Sequence, residues 1–467
     1  MEELLFHYGR YLLIASSRPG TLPAGLQGGW NAYHWAPWTG GYWHNINIQM
    51  NYWGVMSANL PECFEAYIDY FNAYLPAARE VSRSVLKKIH GTPVDEKEDA
   101  GWVIGTSAGA YAITEPGYHS GPGVSGLTAK MLADYYLFSK DRDFLKNVAY
   151  PAMLSLSRFY SKALVEKGDL LMISPSASPE NIVKDKSQVE GLPGYLLRGM
   201  HYVTAGTTFD QGMVWETYND TLILAKELGA SDPLLILIAD QMKRLDPILV
   251  GTSGQIKEYR EERAYSDIGD PTHRHISHLH TLFPGTLINE NHKEWMTAAS
   301  VTLDKRGFAP VPWALAFRML SRARLTEGDL ALKAYEFMIS NHVASNLWTV
   351  QPPFEIDANF GSMTGVIELL LQSHAGYIHL LPALPTAWAN GSFKGLVARG
   401  NFEISANWKE GKIQMATIHS RAGGVCRLRG GNFKILDANG EAVQWKKTEN
   451  DCYEFLTRKG EIYTINL

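Results

Sequence analysis

The chain has 467 residues, beyond the size at which one hydrophobic core usually splits, so we predict two domains. Hydrophobic residues make up 45% and charged residues 19%, as in a well-packed globular protein. The net charge of −5, without a basic run, argues against nucleic acid or an anionic membrane as a partner. The sequence has no run of about 18 apolar residues, so it predicts no transmembrane helix.

Helical periodicity dominates the first three quarters of the chain. Residues 2–16 lack the basic start and cleavage site of a signal peptide, so we predict a helix there. Residues 19–43 and 91–125 are rich in glycine and aromatic residues, and long loops of this kind are usually functional. The other segments with helical spacing are 60–88, 126–139, 148–166, 210–228, 232–246, 292–303, 313–325, 329–342 and 362–374.

The pattern changes near Ile378, where short alternating runs begin, separated by Gly and Asn turns. These runs are 396–398, 402–407, 414–419, 425–428, 433–436, 453–456 and 462–466. We therefore predict a mainly α protein with an (α/α)6 toroid over residues 1–377 and a small C-terminal antiparallel β-sandwich over residues 378–467. A looser array of paired helices is also compatible with the periodicity.

The segment 43–53 concentrates neutral amides among apolar residues. Asn45, Asn47 and Gln49 alternate with apolar side chains, and this period of two predicts an extended segment with the amides on one face. Amides can hold a water or a sugar hydroxyl, because each offers donors and acceptors. An amide ladder that satisfies a buried loop is an equally good interpretation.

Several acidic residues stand in polar, turn-prone loops. On residue types alone, Glu180 suits the start of a helix, where it would complement the helix dipole. Asp357 and Asp210 suit helix caps, and Asp210 is also our reserve candidate for a role with the substrate. Glu355 lies only two residues from Asp357 and could be confused with it.

The histidines and cysteines do not predict a metal site. His273, His275 and His278 lie within six residues, which raises zinc, but their spacing is not H-E-x-x-H and no thiolate is near. The cysteines are too few and too scattered for a disulfide framework, and free thiols are favoured over a bridge between the last two. They are Cys63, Cys426 and Cys452.

Aromatic residues make up 11% of the chain, and rings serve as platforms for the apolar faces of pyranoses in sugar-binding clefts. Trp30, Trp35 and Trp38 lie in the loop 19–43 and are our platform candidates. Trp53 and Trp313 lie in apolar surroundings, so we assign them to the core.

Seven segments carry a family resemblance. They are LQGGWN (26–31), NINIQMNYW (45–53), SPSASPEN (174–181), HRHISH (273–278), IDANFG (356–361), LLPALP (380–385) and GLVARG (395–400). In order and approximate spacing the chain resembles glycoside hydrolase family 95, the α-L-fucosidases that include the 1,2-α-L-fucosidases. Family members typically have a β-sandwich before the toroid, so we expect a trimmed piece, part of a larger protein or a short variant. The resemblance implies secretion or a periplasmic location.

The resemblance also implies an activity and its residues. It implies an inverting exo-glycosidase that removes a terminal α-L-fucosyl residue from an oligosaccharide or glycan, without a cofactor. Glu180 would be the general acid, and Asn45 and Asn47 would hold the attacking water. Asp357 would polarise both amides and draw off the water's proton, since low dielectric strengthens such a hydrogen-bond chain. Arg274 and His275 would contact the sugar, and His44 would either face the sugar or brace the loop by hydrogen bonds. Trp30 and Asp210 complete our substrate-binding candidates.

The chain departs from the family pattern at two places. The family's His-Asn-Thr-Asp-like run is replaced by Thr106-Ser107-Ala108-Gly109, and a tryptophan expected near Val124 is missing. Small groups there would leave substrate hydroxyls unpaired, so we expect a drifted preference, for example toward an α-L-galactoside. Two other classes stay open: a catalytically silent glycan-binding or scaffold protein, and a toroidal lyase or phosphorylase. For a phosphorylase, the sequence lacks a glycine-rich phosphate loop.

Overall fold

A computed structural model describes residues 1–31, 33–91, 94–95, 98–108, 112–117, 119–308, 310–431 and 433–466. No helix in these ranges has both the length and the apolar character that crossing a bilayer requires. The three cysteines are buried and free, as predicted.

Twelve α-helices lie within the described ranges. They are α1 (Glu2–Ser16), α2 (Asn47–Trp53), α3 (Glu65–His90), α4 (Gly123–Ser139), α5 (Arg142–Phe144), α6 (Tyr150–Ala163), α7 (Thr208–Leu228), α8 (Pro233–Arg244), α9 (Lys293–Arg306), α10 (Pro312–Arg324), α11 (Gly328–His342) and α12 (Asp357–Leu370). Most of them coincide with the predicted segments to within a few residues.

The helices form two concentric layers. In the inner layer α2 contacts α4, α4 contacts α7, α7 contacts the short 3-10 turn Ser277–Leu279, and α10 contacts α12, which returns to α2. His280, next to the turn, stacks on Phe317 of α10 with 4.5 Å between ring centroids and closes the ring. This is the predicted (α/α)6 toroid, and its fold class is confirmed.

Burial distinguishes the two layers. The inner helices α4, α10 and α12 are buried on nearly every side, because they face both the centre of the ring and the outer helices. The outer helices bury only one face, as α3 and α8 illustrate, and their other face meets solvent. The remaining outer helices are α1, α6, α9 and α11.

The C-terminal region is a β-sandwich, also as predicted. One sheet has the order β13-β16-β11-β10-β9 and the other β14-β15-β12-β8-β7. Ile404 and Ile418 of the first sheet and Leu428 of the second are fully buried in one common core. The strands are β7 (Leu371–Gln372), β8 (Ile378–Leu380), β9 (Gly391–Ala398), β10 (Phe402–Lys409), β11 (Lys412–Ser420), β12 (Gly424–Arg429), β13 (Lys434–Leu436), β14 (Lys446–Thr448), β15 (Cys452–Thr457) and β16 (Ile462–Asn466).

The sandwich contains one pair that the alternation did not predict. Strands β8 and β12 run parallel, while the other pairs in the two sheets are antiparallel. The chain leaves β8, forms β9 to β11 in the opposite sheet and returns in β12, so the two strands meet through a crossover.

Six further short strands pair among the loops of the toroid. They are β1 (Tyr42–Trp43) with β2 (Ser107–Ala108), β3 (Leu164–Lys167) with β4 (Leu170–Ile173), and β5 (Tyr195–Leu197) with β6 (His201–Val203). The helix predicted over 148–166 therefore ends early, because its last residues join β3.

The extended segment predicted for Asn45, Asn47 and Gln49 is wrong. Residues 47–53 form α2, so the three amides point in different directions. Gln49 Nε2 donates to Thr128 Oγ1 at 3.0 Å and to the carbonyl of His44, inside the packed ring. The period of two arose because an inner helix buries both polar and apolar side chains.

Candidate active site

Several candidate residues lie at the beginning of inner elements. Asn47 is the first residue of α2, Asp357 is the first of α12, and Trp313 is the second of α10. His275 precedes the turn Ser277–Leu279 by two residues. The ring therefore brings residues from distant parts of the chain to one end of the toroid.

A cavity of about 240 Å³ opens at this end. Three of its walls are tryptophans, and the others are mostly polar or charged. The lining residues are Leu26, Trp38, Trp43, Asn47, His119, Glu180, Arg274, His275, Trp313, Gln351 and Glu355. Its volume lies below the range of about 300–1,000 Å³ usual for drug-sized ligands, so it suits a smaller ligand.

Glu180 occupies one wall of the cavity and is held on both carboxylate oxygens. Asn45 Nδ2 donates to Oε1 at 2.7 Å, and the Arg274 guanidinium donates to Oε2. His275 Nε2 lies 3.8 Å from the same Oε2. The Glu180 backbone has φ +44°, a conformation that non-glycine residues adopt at a cost, and its N–H donates to His119 O at 3.0 Å.

Asp357 is paired with the second amide. Asn47 Nδ2 donates to Asp357 Oδ2 at 2.6 Å, and the backbone N–H of Ala358 donates to Oδ1 at 2.8 Å. Burial raises the pKa of Asp357 to about 6, although the hydrogen bond from Asn47 acts in the opposite direction. The carboxyl group is therefore ionised at neutral pH, and it takes up a proton when the pH falls to about 6.

The two amides serve different carboxylates, which differs from the arrangement we expected. Asn45 donates to Glu180, and Asn47 alone donates to Asp357. Asn45 and Asn47 flank Ile46 at the start of α2, so a single short segment positions both acids. The Oδ1 atom of Asn45 is buried without a hydrogen-bond partner.

His275 is neutral and closely packed. Burial, with Arg274 beside it, lowers the pKa of His275 well below its usual value. Its ring lies 4.6 Å from Trp313 and 5.4 Å from His273, centroid to centroid. The neutral ring leaves one nitrogen able to accept or donate to a ligand.

Behind the cavity, a buried carboxylate joins the loops that carry Glu180 and Arg274. Glu258 accepts hydrogen bonds from Ser178 Oγ and from Asn181 Nδ2 at 2.9 Å, on either side of Glu180. Arg306 Nη2 donates to Glu258 at 3.1 Å. We call Glu258 and Arg306 the buried clamp.

Arg306, the second residue of the buried clamp, binds the backbone of residues 273–275. Arg306 Nη1 donates to the carbonyl of His275 at 2.7 Å and to that of His273 at 3.2 Å. These two carbonyls flank Arg274. One ion pair thus fixes the backbone on both sides of Glu180 and on both sides of the arginine that contacts it. Sequence reasoning missed the pair, because its partners lie 48 residues apart.

Five of the nine candidate site residues do not line the cavity. Asn45 and Asp357 are joined to it through their hydrogen bonds with the lining residues Glu180 and Asn47. The other three are His44, Trp30 and Asp210. His44 is fully buried between Tyr70 and Tyr74, and burial lowers its pKa to about 3. Trp30 packs beside Trp348, with 6.3 Å between ring centroids. The structure gives these side chains internal contacts, so direct sugar contact would require them to move.

Asp210 is the third candidate, and its carboxylate is used inside the protein. It accepts from Ser176 Oγ at 2.6 Å and from the backbone N–H of Gly123 at 2.7 Å, and thereby joins α4 to the loop that carries Glu180. The N-cap of α7 is Thr207, not Asp210. A side chain at Gly121 would place its Cβ 1.7 Å from Asp210 Oδ2, so this position requires glycine.

Two of the tryptophans that we assigned from the sequence, Trp38 and Trp313, line the cavity. Trp313 is buried in the core, as predicted, and it also lines the cavity, which the sequence did not predict. Trp38 lines it as predicted for a platform, whereas Trp35 is 87% exposed outside it. Trp53 packs in the core against Phe283 and Phe317. Spacing could not place Trp313, because the start of an inner helix faces the core and the cavity at once.

The other missed wall residues come from the long loops. Trp43 belongs to the amide-rich segment, His119 to the loop 91–125 and Gln351 to the loop before α12. The loops themselves were the signal, since their length and aromatic content predicted function.

The departures from the family pattern fall beside the cavity. The Thr106 carbonyl accepts from the His44 N–H at 2.6 Å, and Ser107 pairs with Trp43 in the β1–β2 ladder. Val124 is fully buried in α4, and Gly109 lies outside the described residues. In the described part of the chain, no group of three His, Cys, Asp or Glu side chains could hold a metal ion.

Comparison with known proteins gives the family. The profile of the glycosyl hydrolase family 95 catalytic domain matches residues 1–370, and that of the glycoside hydrolase family 95 C-terminal domain matches residues 372–465. The chain is 34% identical to "Alpha-L-fucosidase 2" of Arabidopsis thaliana, over 88% of this chain and 48% of that protein. It is 30% identical to "Probable alpha-fucosidase A" of Aspergillus niger, over 95% of this chain and 56% of that protein.

The chain thus spans about half the length of these curated relatives. Among solved structures, a putative kojibiose phosphorylase from human microbiome shares the fold with a TM-score of 0.58 at 9% identity, over 98% of this chain and 66% of that chain. The resemblance seen in the loop motifs is confirmed, and the chain belongs to glycoside hydrolase family 95.

Proposed function

We propose that this chain is the catalytic part of an inverting exo-glycosidase that removes a terminal α-L-fucosyl residue from an oligosaccharide or glycan. The observation that carries the proposal is the pairing of Glu180 with Asn45 and of Asp357 with Asn47 at one end of the toroid. The names of the α-fucosidase relatives support the choice of sugar.

In this proposal Glu180 is the general acid. Its proton passes to the glycosidic oxygen as the bond between that oxygen and the anomeric carbon breaks. Asn45 and Arg274 hold the carboxyl group at the cavity wall, so its orientation is fixed before substrate binds. The strained backbone of Glu180 is consistent with a residue whose direction matters more than its conformational energy.

Water activation would run through Asn47 to Asp357. The Asn47 carbonyl oxygen accepts a hydrogen bond from the water while its NH2 donates to Asp357, which makes the amide a better acceptor. The water oxygen forms the new bond to the anomeric carbon, and its proton leaves toward Asp357. Attack on the face opposite the leaving oxygen inverts the configuration.

The cavity supports an exo mode of action. Its small volume fits a single terminal sugar, and Trp38, Trp43 and Trp313 offer flat apolar faces beside the polar groups. The polar wall also argues against a purely scaffolding role, because buried acids and amides of this number are costly to keep without a ligand.

The test is proton NMR of the sugar released from an α-1,2-fucosylated lactose. We expect the β-anomer to appear first, and we expect Glu180→Gln and Asp357→Asn each to lower kcat by about 10²–10⁴-fold. Asp240→Asn, an exposed carboxylate on α8, is the control and should keep wild-type turnover. Unchanged rates in both site variants, or an α-anomer as first product, would refute the mechanism.

A substrate panel tests the choice of sugar. The same assay on an α-L-galactoside would show whether the small residues at 106–108 have changed the preference. Glycan binding without turnover of any α-L-sugar would make the chain a binding protein instead.

A further inference from the structure

Glu355 is a buried acid for which the mechanism above has no use. The residue is 3% exposed and lines the cavity beside Glu180 and Arg274. Its Oε2 atom is buried and has no hydrogen-bond partner. A buried carboxylate without a partner costs several kcal/mol, so such a group either holds a proton or awaits a ligand.

The charges around Glu355 disfavour its ionised form. Asp357, which is fully buried, begins α12 two residues later, and Glu180 shares the cavity wall, so two other acids lie near Glu355. Arg274 is the nearby cation, and its guanidinium already donates to Glu180. The other titratable wall residues are His119 and the neutral His275.

Burial, followed by the charge of Asp357, raises the pKa of Glu355 to about 9, and Arg274 only partly offsets this. Burial raises that of Asp357 less, to about 6. The two acids therefore divide their roles, with Asp357 ionised and Glu355 protonated at neutral pH. A protonated carboxyl group offers one O–H donor and one carbonyl acceptor.

A second unpartnered group lies on the same segment. The Oε1 atom of Gln351 is buried without a hydrogen-bond partner, and Gln351 also lines the cavity. The backbone between them is fixed, since Gln351 N donates to Pro353 O at 2.9 Å and Glu355 N donates to Thr349 O at 3.2 Å. The segment thus contributes an amide and a carboxyl group to one cavity, and each has an oxygen without a hydrogen-bond partner.

We propose that Glu355 and Gln351 form a hydroxyl-binding subsite, in which Glu355 acts as a neutral carboxylic acid that donates a hydrogen bond to a ring hydroxyl of the bound sugar. This deepens the proposed function and rests on it. Glu355 is then a binding residue. Because Glu355 keeps its proton, Asp357 is the ionised acid of the pair. Ionisation of Glu355 removes the donor and adds a negative charge close to that of Asp357.

The first experiment needs no substrate. In protein labelled with 13C at the glutamate carboxyl carbons, the resonance that disappears in Glu355→Gln belongs to Glu355. We expect it to titrate with a midpoint above pH 8. A midpoint near the ordinary value of a glutamate would overturn the subsite, whatever the enzyme turns out to hydrolyse.

The second experiment measures kinetics and L-fucose binding. We expect Glu355→Leu to raise KM and the L-fucose Kd by about 10–100-fold with a smaller change in kcat, and Glu355→Gln to recover most of that loss, because its amide can still donate. Gln351→Leu should raise KM by about 10-fold. In the wild type, affinity should fall as pH rises through about 9, and in Glu355→Gln this fall should be absent.

The outcomes separate the two proposals. Turnover of fucosides with equal losses of kcat in Glu355→Gln and Glu355→Leu would overturn the neutral-donor role and leave the glycosidase intact. Failure of the wild type to bind or hydrolyse any α-L-sugar would overturn the proposed function, while the NMR titration would still report the protonation of Glu355. Thermal melting of Glu355→Leu shows whether the variant is folded, and Glu355→Gln decides the question if it is not.

Discussion

Arg306 and Glu258 form an ion pair that is almost fully buried, with each side chain 4% exposed. Each partner reaches a different loop of the site: Glu258 binds the two side chains around Glu180, and Arg306 binds the two carbonyls around Arg274. The acid and the arginine that contacts it are therefore positioned by one shared support.

Glu258→Gln should lower both stability and kcat. Removal of one partner leaves Arg306 buried and unpaired, which costs about 3–5 kcal/mol of unfolding free energy. The double variant Glu258→Gln with Arg306→Met should regain much of that stability, because it removes the stranded charge as well.

The double variant decides whether the clamp also positions catalysis. We expect it to remain about 10–100-fold below the wild type in kcat at a temperature where both proteins are fully folded, since the loops around Glu180 lose their common support. Thermal melting and kcat measured together provide the comparison. Recovery of kcat in parallel with stability would reduce the clamp to a purely structural element.

The acid limb of the pH profile should report Asp357. In the proposed mechanism activity requires the ionised form of Asp357, and its raised pKa of about 6 places the limb there, so kcat/KM should rise with pH through about 6. Asn47→Ala removes the hydrogen bond that lowers this pKa, so the limb should move to higher pH while kcat falls. Profiles of kcat/KM from pH 4 to 9 would show the shift.

Glu262 provides the control for that assignment. Burial raises the pKa of Glu262 to about 7, but its carboxylate accepts from the backbone N–H groups of Glu258 and Ser266, outside the cavity. If the acid limb disappeared in Glu262→Gln and did not shift in Asn47→Ala, the limb would belong to Glu262 and not to Asp357. The histidines 273, 278 and 280 cannot cause it, since burial lowers their pKa values to about 3–4.

Trp313 should act as a sugar platform. Its ring lines the cavity and packs on His275, so Trp313→Leu removes an apolar face from the substrate and loosens a polar contact at once. We expect KM to rise by about 10-fold or more, equivalent to about 1.4 kcal/mol, with a smaller effect on kcat. Trp445→Leu, in the β-sandwich and 43% exposed, is the control. Equal KM values in the two variants would contradict the assignment.

Lys130 should be essential to the stability of the inner layer of the toroid. Its ammonium, 3% exposed, lies 2.9 Å from Asp220 and 3.6 Å from Glu216, and so links α4 to α7. Lys130→Met strands two buried carboxylates and should cost about 3–5 kcal/mol in chemical denaturation. Lys88→Met breaks the exposed pair with Glu115 and should cost less than about 1 kcal/mol. Similar losses of unfolding free energy in the two variants would mean that burial does not increase the contribution of the Lys130 ion pairs to stability.

The sequence predicted what depends on local pattern. Periodicity located the outer helices and most strands, whose solvent faces make the pattern visible, as in α3 and β10. It also located the longer inner helices α4, α7, α10 and α12. It failed for α2, which has only seven residues, because the alternation of Asn45, Asn47 and Gln49 was misleading over so short a buried helix.

Motifs placed the candidate acids and the contact of Asn47 with Asp357, but not the contacts of Asn45 and Arg274 with Glu180. Glu180 and Asp357 stand in segments that the resemblance marked, and each meets its amide across more than 130 residues of chain. The clamp and the unpartnered state of Glu355 depend on three-dimensional burial, which spacing does not encode. Asp210 illustrates the converse, since a promising carboxylate proved to bind Gly123 and Ser176 inside the protein.

Several inner elements of the ring begin at the cavity. Evolutionary changes that alter the cavity can therefore be separate from changes that alter the scaffold. Residues just before or at the start of α2, α10 and α12 line the cavity, whereas the rest of α10 and α12 is packed on nearly every side. Under the proposed function, substitutions in the preceding loops would alter which sugar is accepted without disturbing the scaffold. Exchange of the segments 106–125 and 343–355 between relatives would be a direct route to enzymes with new preferences.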